Sequence, residues 1–169
     1  WVKYESFENS SRVVDFGNGP SKQNLTILQK QDSATLEFSN FSLDSSQSIE
    51  FPDFWELNKW VHFTCMITPA GQGIIFKNGQ LAMSVQRGVT AEIFRRNQYF
   101  GRSNWTSDSY FKGQLDDLRI YDRVLSRDEV HALFEWNEET ESEPELESMT
   151  KTLEPDVSRG LVGWWKFDE

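Results

Sequence analysis

Apolar and polar residues alternate with a period of two through much of the first 121 positions, in short runs broken by Gly, Asn, Ser and Pro. That is the signature of half-buried β-strands. In residues 60–67, Val61, Phe63, Cys65 and Ile67 fall on one face and His62, Thr64 and Met66 on the other, which makes Cys65 a small, buried core residue. Further strands are predicted over residues 1–6, 12–16, 24–29, 34–38, 48–51, 98–102 and 114–121. The sharpest local signal lies in residues 74–83. There Asn78-Gly79 suits the two positive φ angles of a type I′ turn, pairing Lys77 with Gln80 and Phe76 with Leu81.

One helix interrupts the strands. Ser126 followed three residues later by Glu129 is a capping box, and Leu125 with Val130 forms a hydrophobic staple around it. Val130, Leu133 and Phe134 make one apolar stripe suited to docking on a sheet, while Arg127, Glu129 and Glu135 are expected to face water. Residues 137–159 are acidic, contain Pro and lack periodicity, the pattern of an extended linker. Residues 160–167, within a terminal segment 160–169, read as a strand again.

Composition narrows the function classes. Aromatic residues make up 14% of the chain, too many for a disordered protein. No apolar run approaches the roughly 20 residues of a membrane helix, so no membrane span is expected. The net charge of −10 argues against a nucleic-acid partner. Most of that charge sits in the linker, on Glu138, Glu139, Glu141, Glu143, Glu145, Glu147, Glu154 and Asp156 against Lys151 alone. Arg95-Arg96 is too small a basic cluster to reverse the conclusion. With Cys65 as the single cysteine no internal disulfide forms, and the fold rests on its core. Four N-glycosylation triplets, at Asn9, Asn24, Asn40 and Asn104, point to a secreted, extracellular or cell-surface glycoprotein.

Several separated motifs agree with one another. Trp60-Val61-His62, Phe76-Lys77-Asn78-Gly79, Phe100-Gly101-Arg102-Ser103, and the run from Phe111-Lys112-Gly113-Gln114-Leu115-Asp116-Asp117-Leu118 through Leu125-Ser126 stand in order and spacing. Together with Asp15-Phe16-Gly17-Asn18-Gly19 they resemble the laminin-G-like branch of the concanavalin A-like lectin/glucanase superfamily, over roughly residues 1–136. The resemblance implies an all-β, antiparallel jelly-roll β-sandwich with one short helix. It also implies a departure, because members of the family open with a strand like residues 160–169, which here comes last. Either residues 160–169 begin a following module in a tandem array, or they fold back to complete the sheet of residues 1–136. A chain that opens at Trp1 inside a strand favours the array, with partner modules or copies of the same protein covering the exposed sheet edges.

Three site chemistries bear on these residues. A glucanase places two glutamates and an aspartate on alternate positions of one strand, and no such motif occurs, so no catalytic residues are expected. His62 and His131 neighbour no convincing nucleophile. For calcium, Asp15, Asn18 and Asn24 share a strand-turn-strand unit whose oxygens suit a hard cation, and Asp116 and Asp117 match the paired aspartates of the family. The plainer reading makes them turn and strand-ordering residues. For glycans, Trp55, Trp105 and Tyr110 offer rings for stacking on a pyranose, against core or edge packing. The sequence therefore suggests a non-catalytic extracellular module acting in adhesion or assembly. The alternative is a calcium-dependent carbohydrate-binding domain.

Overall fold

The structure, a computed structural model, describes residues 1–41, 46–86, 92–136 and 155–166. Five antiparallel strands form one layer: β2 (Arg12–Gly17), β3 (Leu25–Gln29), β4 (Leu36–Phe41), β5 (Ser46–Phe51) and β9 (Asn97–Phe100), in the order β5-β4-β3-β2-β9. Register sorts their side chains by the period of two. Val14, Ile27, Phe38, Ile49 and Phe100 face the core in one cross-strand row, and Asp15, Thr26, Ser39, Ser48 and Tyr99 form the row behind it.

The facing layer is assembled from pieces. β6 (Phe63–Ile67), β7 (Gln72–Lys77) and β8 (Gln80–Gln86) form a meander, β1 (Val2–Tyr4) pairs with β10 (Gly113–Leu115), and β11 (Leu118–Tyr121) pairs with β12 (Leu161–Trp165). Val2 also bridges Val61, which ties the β1 ladder to the start of β6. The β7–β8 turn follows the sequence, with Asn78 and Gly79 at φ 50° and 73° and the expected pairs Phe76 with Leu81 and Lys77 with Gln80. Val2, Val13, Leu36, Phe54, Trp55 and Ile75 form the centre of the core between the layers.

Helix α1 (Arg127–Glu135) has the capping box the sequence calls for. Its Val130 and Leu133 are buried with Met66, Phe76 and Leu125, each apolar side chain contributing about 1.5–3 kcal/mol by burial. Met66 is therefore covered too, and β6 is packed on both faces. Phe134 stacks on Trp1 at 5.6 Å and lies so close to Gly79 that a Cβ there would stand 3.0 Å from its ring. Glu129 departs from expectation. Besides capping the helix it takes two bonds from Arg123, at 2.9 and 2.7 Å, and is largely shielded.

Two other expectations change. The strand expected over residues 114–121 breaks into β10 and β11 at Asp117, whose φ is 46°. The Asp116 carboxylate accepts from the Asp117 N–H at 2.6 Å and stabilises that break. Strand β12 lies antiparallel on β11, setting Trp165 beside Leu118 and Gly163 beside Ile120. Within this chain β12 therefore serves as the partner strand of β11. The linker expectation over residues 137–154, and Phe167, lie outside the described residues.

Candidate functional site

Asp15 sits on the back row of the five-stranded layer and is fully buried, yet it remains hydrogen-bonded all round. Asn24 Nδ2, Asn104 Nδ2 and the Asn104 backbone N–H each donate to it at 2.8 Å, and Ser103 Oγ lies at 3.5 Å. Arg12 Nε stands 3.7 Å away and its Nη2 continues to Asp108 at 2.8 Å. The guanidinium also lies 4.9 Å from the Trp105 ring, which in turn packs on Phe41. The cluster locks the loop of residues 102–110 across the back of the sheet. Such a carboxylate, with both oxygens taken by donors, has little capacity left for a cation.

Gly17 belongs to the same arrangement for a steric reason. A Cβ there would stand 2.2 Å from Asn24 Nδ2, so only glycine lets the amide lie against β2 and reach Asp15. Asn18 does a different job. Its side chain bonds Gln23 Oε1, the Phe94 carbonyl and the Arg96 N–H, all at 3.0 Å, fastening the 92–97 segment to the β2–β3 turn.

The five tentative calcium ligands are thus divided. Asp15 and Asn24 meet, Asn18 holds a turn, and Asp116 and Asp117 lie beside Trp1 at the other layer, where Asp117 accepts from Arg119 Nε at 2.7 Å. Among the described residues no three His, Cys, Asp or Glu side chains are grouped to hold a metal. The stacking candidates divide as well. Trp55 is buried in the core against Tyr4, Phe54 and Phe63 and offers no face to a sugar, a correction due to its neighbours in space. The Trp105 ring is engaged by Arg12 and Phe41, and of the three Tyr110 alone is freely presented, at 68% exposure. Of the glycosylation triplets, Asn9 is exposed, Asn40 and Asn104 are half-buried, and Asn24 is enclosed against Gly17 and Asp15 where no glycan fits.

On the other side of the core the layers stand apart. A cavity of about 540 Å³ opens between β6 and β11, bounded by residues 62–69 and 117–125 in unbroken runs. Behind it lie Phe16, Leu25 and Phe38 of the opposite sheet. Cys65 borders this opening and is half-buried, not enclosed as the strand register suggested. The register was right about its face, since it packs with the core cluster. His62 is buried at the rim between Trp1 and Phe134, its ring centroid 5.1 and 5.8 Å from theirs. Burial, reinforced by the Trp1 amino group and Arg119, lowers its pKa from 6.5 to about 3, so the ring is neutral.

Sequence reasoning missed this opening and also Arg119. The Arg119 guanidinium lies 5.0 Å from the Trp136 ring and 4.3 Å from the Trp164 ring, clamping β12 to the end of α1. The two tryptophans are far apart in sequence, and only the β11–β12 register brings them to one cation.

Comparison with known proteins agrees with this architecture. The family model described as the concanavalin A-like lectin/glucanases superfamily, a laminin G model, matches residues 1–131. No curated protein matches the chain. Among solved structures the chain is similar to CBM40, a carbohydrate-binding module, of the Ruminococcus gnavus IT-sialidase. That likeness has a TM-score of 0.66 at 16% identity, and covers 79% of this chain and 78% of that one. An S-layer domain-containing protein (residues 221–444) from Clostridium thermocellum ATCC 27405 aligns at a TM-score of 0.42 and 20% identity, covering 79% and 66%. At 16% identity the CBM40 structure speaks to the fold alone. Sandwich layers, strand order, capped helix and family match together place the chain in the laminin-G-like branch of the concanavalin A-like lectin/glucanases superfamily.

Proposed function

We propose that the chain is a non-catalytic module of a larger extracellular glycoprotein, serving adhesion or the building of an extracellular assembly through its sheet edges. One observation carries this reading. β12, the outer strand of its sheet, presents Val162, Trp164 and Trp165 at 62%, 39% and 39% exposure beside a free edge among the described residues. Apolar edge strands favour pairing with another strand, and natural proteins usually charge or cover them. Val162→Lys places a charge on that edge while leaving the fold within about 0.5 kcal/mol, as for other surface substitutions. Assembly followed by light scattering is expected to fall for Val162→Lys and for deletion of residues 160–169. Undiminished assembly in both overturns the reading. Asn9 is the triplet presented for glycosylation, checked by the mass loss of the natural glycoprotein on amidase treatment.

Carbohydrate binding is the second reading, favoured by the fold likeness to CBM40 and by the exposed Tyr110 ring at the end of the Asp15-locked loop. With the calcium candidates dispersed, this binding is expected to survive chelator. A glycan array with the chain and with Tyr110→Ala tests it. Signals equal for the two proteins exclude Tyr110 as the stacking residue.

A further inference from the structure

Strand β12 is held by contacts that reach across residues 137–154 to the body of the sandwich. Asp122 N–H donates to the Gly160 carbonyl at 2.9 Å, Arg123 Nε to the Arg159 carbonyl at 2.7 Å and Arg123 Nη2 to the Asp156 carbonyl at 3.3 Å. Trp165 meets Phe100 with ring centroids 5.2 Å apart, the Arg119 guanidinium lies 4.3 Å from the Trp164 ring, and Val157 packs beside Met66, Leu125 and Val130. In each of these contacts one side comes from residues 66–130 and the other from residues 156–165. Nothing in this geometry uses the covalent connection between the two sides, so the same segment of a second copy makes the same bonds.

The docking is also shallow. No residue of 155–166 is buried, and Leu118, Arg119, Ile120 and Tyr121 of β11 are all half-buried. Neither strand supplies a side chain to the central core cluster. β12 therefore leaves β11 without opening the core, losing surface contacts and its ladder of hydrogen bonds. What stays behind is a specific acceptor. The Asp122 N–H is left without its carbonyl, and the Arg119 cation loses one of its rings. The place beside Asp122 favours glycine, because Gly160 has a φ of 71° and a Cβ there would stand 2.6 Å from Asp122 Oδ1. The incoming strand needs that glycine and, four residues later, a ring for Arg119, which residues 160–164 supply.

We propose that β12 is an exchangeable strand: β12 of one copy docks on β11 of a second copy in the register of this structure, each copy giving one strand and receiving one. At about 3.3 Å per residue, residues 137–154 allow a reach on the order of 60 Å for the transfer. A copy's own strand competes at an effective concentration of about millimolar, so exchange belongs to crowded chains, as in an assembly. The inference goes beyond the proposed function, which concerns the outer edge of β12, whereas exchange uses the inner edge that faces β11.

The test mixes two forms of the whole chain, both carrying Cys65→Ala. One has Leu118→Cys on β11 and the other Trp165→Cys on β12, positions that face each other in the register. A disulfide between these two introduced thiols forms only across copies. Under mild oxidation at about millimolar chain, the covalent pair is expected at about tenfold or more over a control mixture in which Arg127→Cys, exposed on α1, replaces Trp165→Cys. The same yield is expected when both forms also carry Val162→Lys, so exchange and outer-edge pairing are read separately. Should a form not fold, Tyr121→Cys with Leu161→Cys reads the same register at the other end of the ladder. A matched yield no higher than the control, or one abolished by Val162→Lys, overturns the proposal.

Discussion

The two faces of this sandwich treat buried polarity in opposite ways. Behind the five-stranded layer Asp15 is sealed under the 102–110 loop with a donor for each oxygen, and Arg12, Ser103 and Asp108 extend the network to the rim. At the β6–β11 gap the core is apolar but unsealed, and Phe63, Cys65 and Ile67 are only half-buried. A buried charge tolerates no missing partner, whereas an apolar wall loses only transfer and contact energy when one side is left open. The back of the molecule is therefore constrained residue by residue, and the gap is permissive.

The sharpest way to break this contrast is to empty the sealed side. Asp15→Ala strands Asn24, Asn104 and Arg12 without their shared acceptor, and a loss of about 3–5 kcal/mol is expected in urea denaturation. A loss below about 1 kcal/mol, the worth of one ordinary hydrogen bond, would mean that water already reaches the cluster.

Acid probes the rim of the gap. His62 is held neutral in the folded state with its pKa at about 3, while the unfolded chain takes up the proton near 6.5. The unfolded state binds more protons between these values, so this contribution to stability is complete above pH 6.5 and is lost as pH falls toward 3. The slope is about 1.4 kcal/mol per pH unit inside that window. His62→Phe, which keeps the aromatic packing on Trp1 and Phe134, is expected to flatten the denaturation midpoint between pH 6.5 and pH 4. An unchanged profile would show that the rim is wet.

Gly17→Ala tests the closeness of the seal more gently. The added Cβ displaces the Asn24 amide, costing about 1–3 kcal/mol. In the Asn24→Gly background, where no amide is displaced, the same change is expected to cost less, as a double-mutant cycle of thermal midpoints would record.

The smallest effect belongs to the open side. Cys65→Leu adds volume where the cavity has room and is expected to stay within about 0.5 kcal/mol or to stabilise, while Ile75→Phe, in the closed centre, costs about 1–3 kcal/mol. Equal losses would show that the gap is no wider than the rest of the core.

Local chemistry made much of the frame legible. Asn78-Gly79 needs nothing beyond its own φ preferences to form its turn, and the Ser126–Glu129 box satisfies helix N–H groups from within four residues. Both arrived where the pattern put them. The break at Asp117 was not legible, because the residues around it read as one continuous alternation. It exists where Asp116 is drawn to Trp1, at a distance in sequence that no local pattern reports.

By itself, then, the sequence determined where most strands lie, which face most of them turn to the core, where the helix starts, and the family to which those motifs belong. These follow from backbone preference and side-chain periodicity, which act over a few residues. Tertiary structure alone decided that Asp15 and Asn24 are walled in by Asn104, that Trp55 is core while Tyr110 is surface, and that Arg119 joins Trp136 to Trp164. It also decided that β12 returns to β11 and leaves a gap beside β6. Each of these depends on which strand edges meet, and a strand's own alternation fixes its faces but carries no information about which neighbour its edge will find.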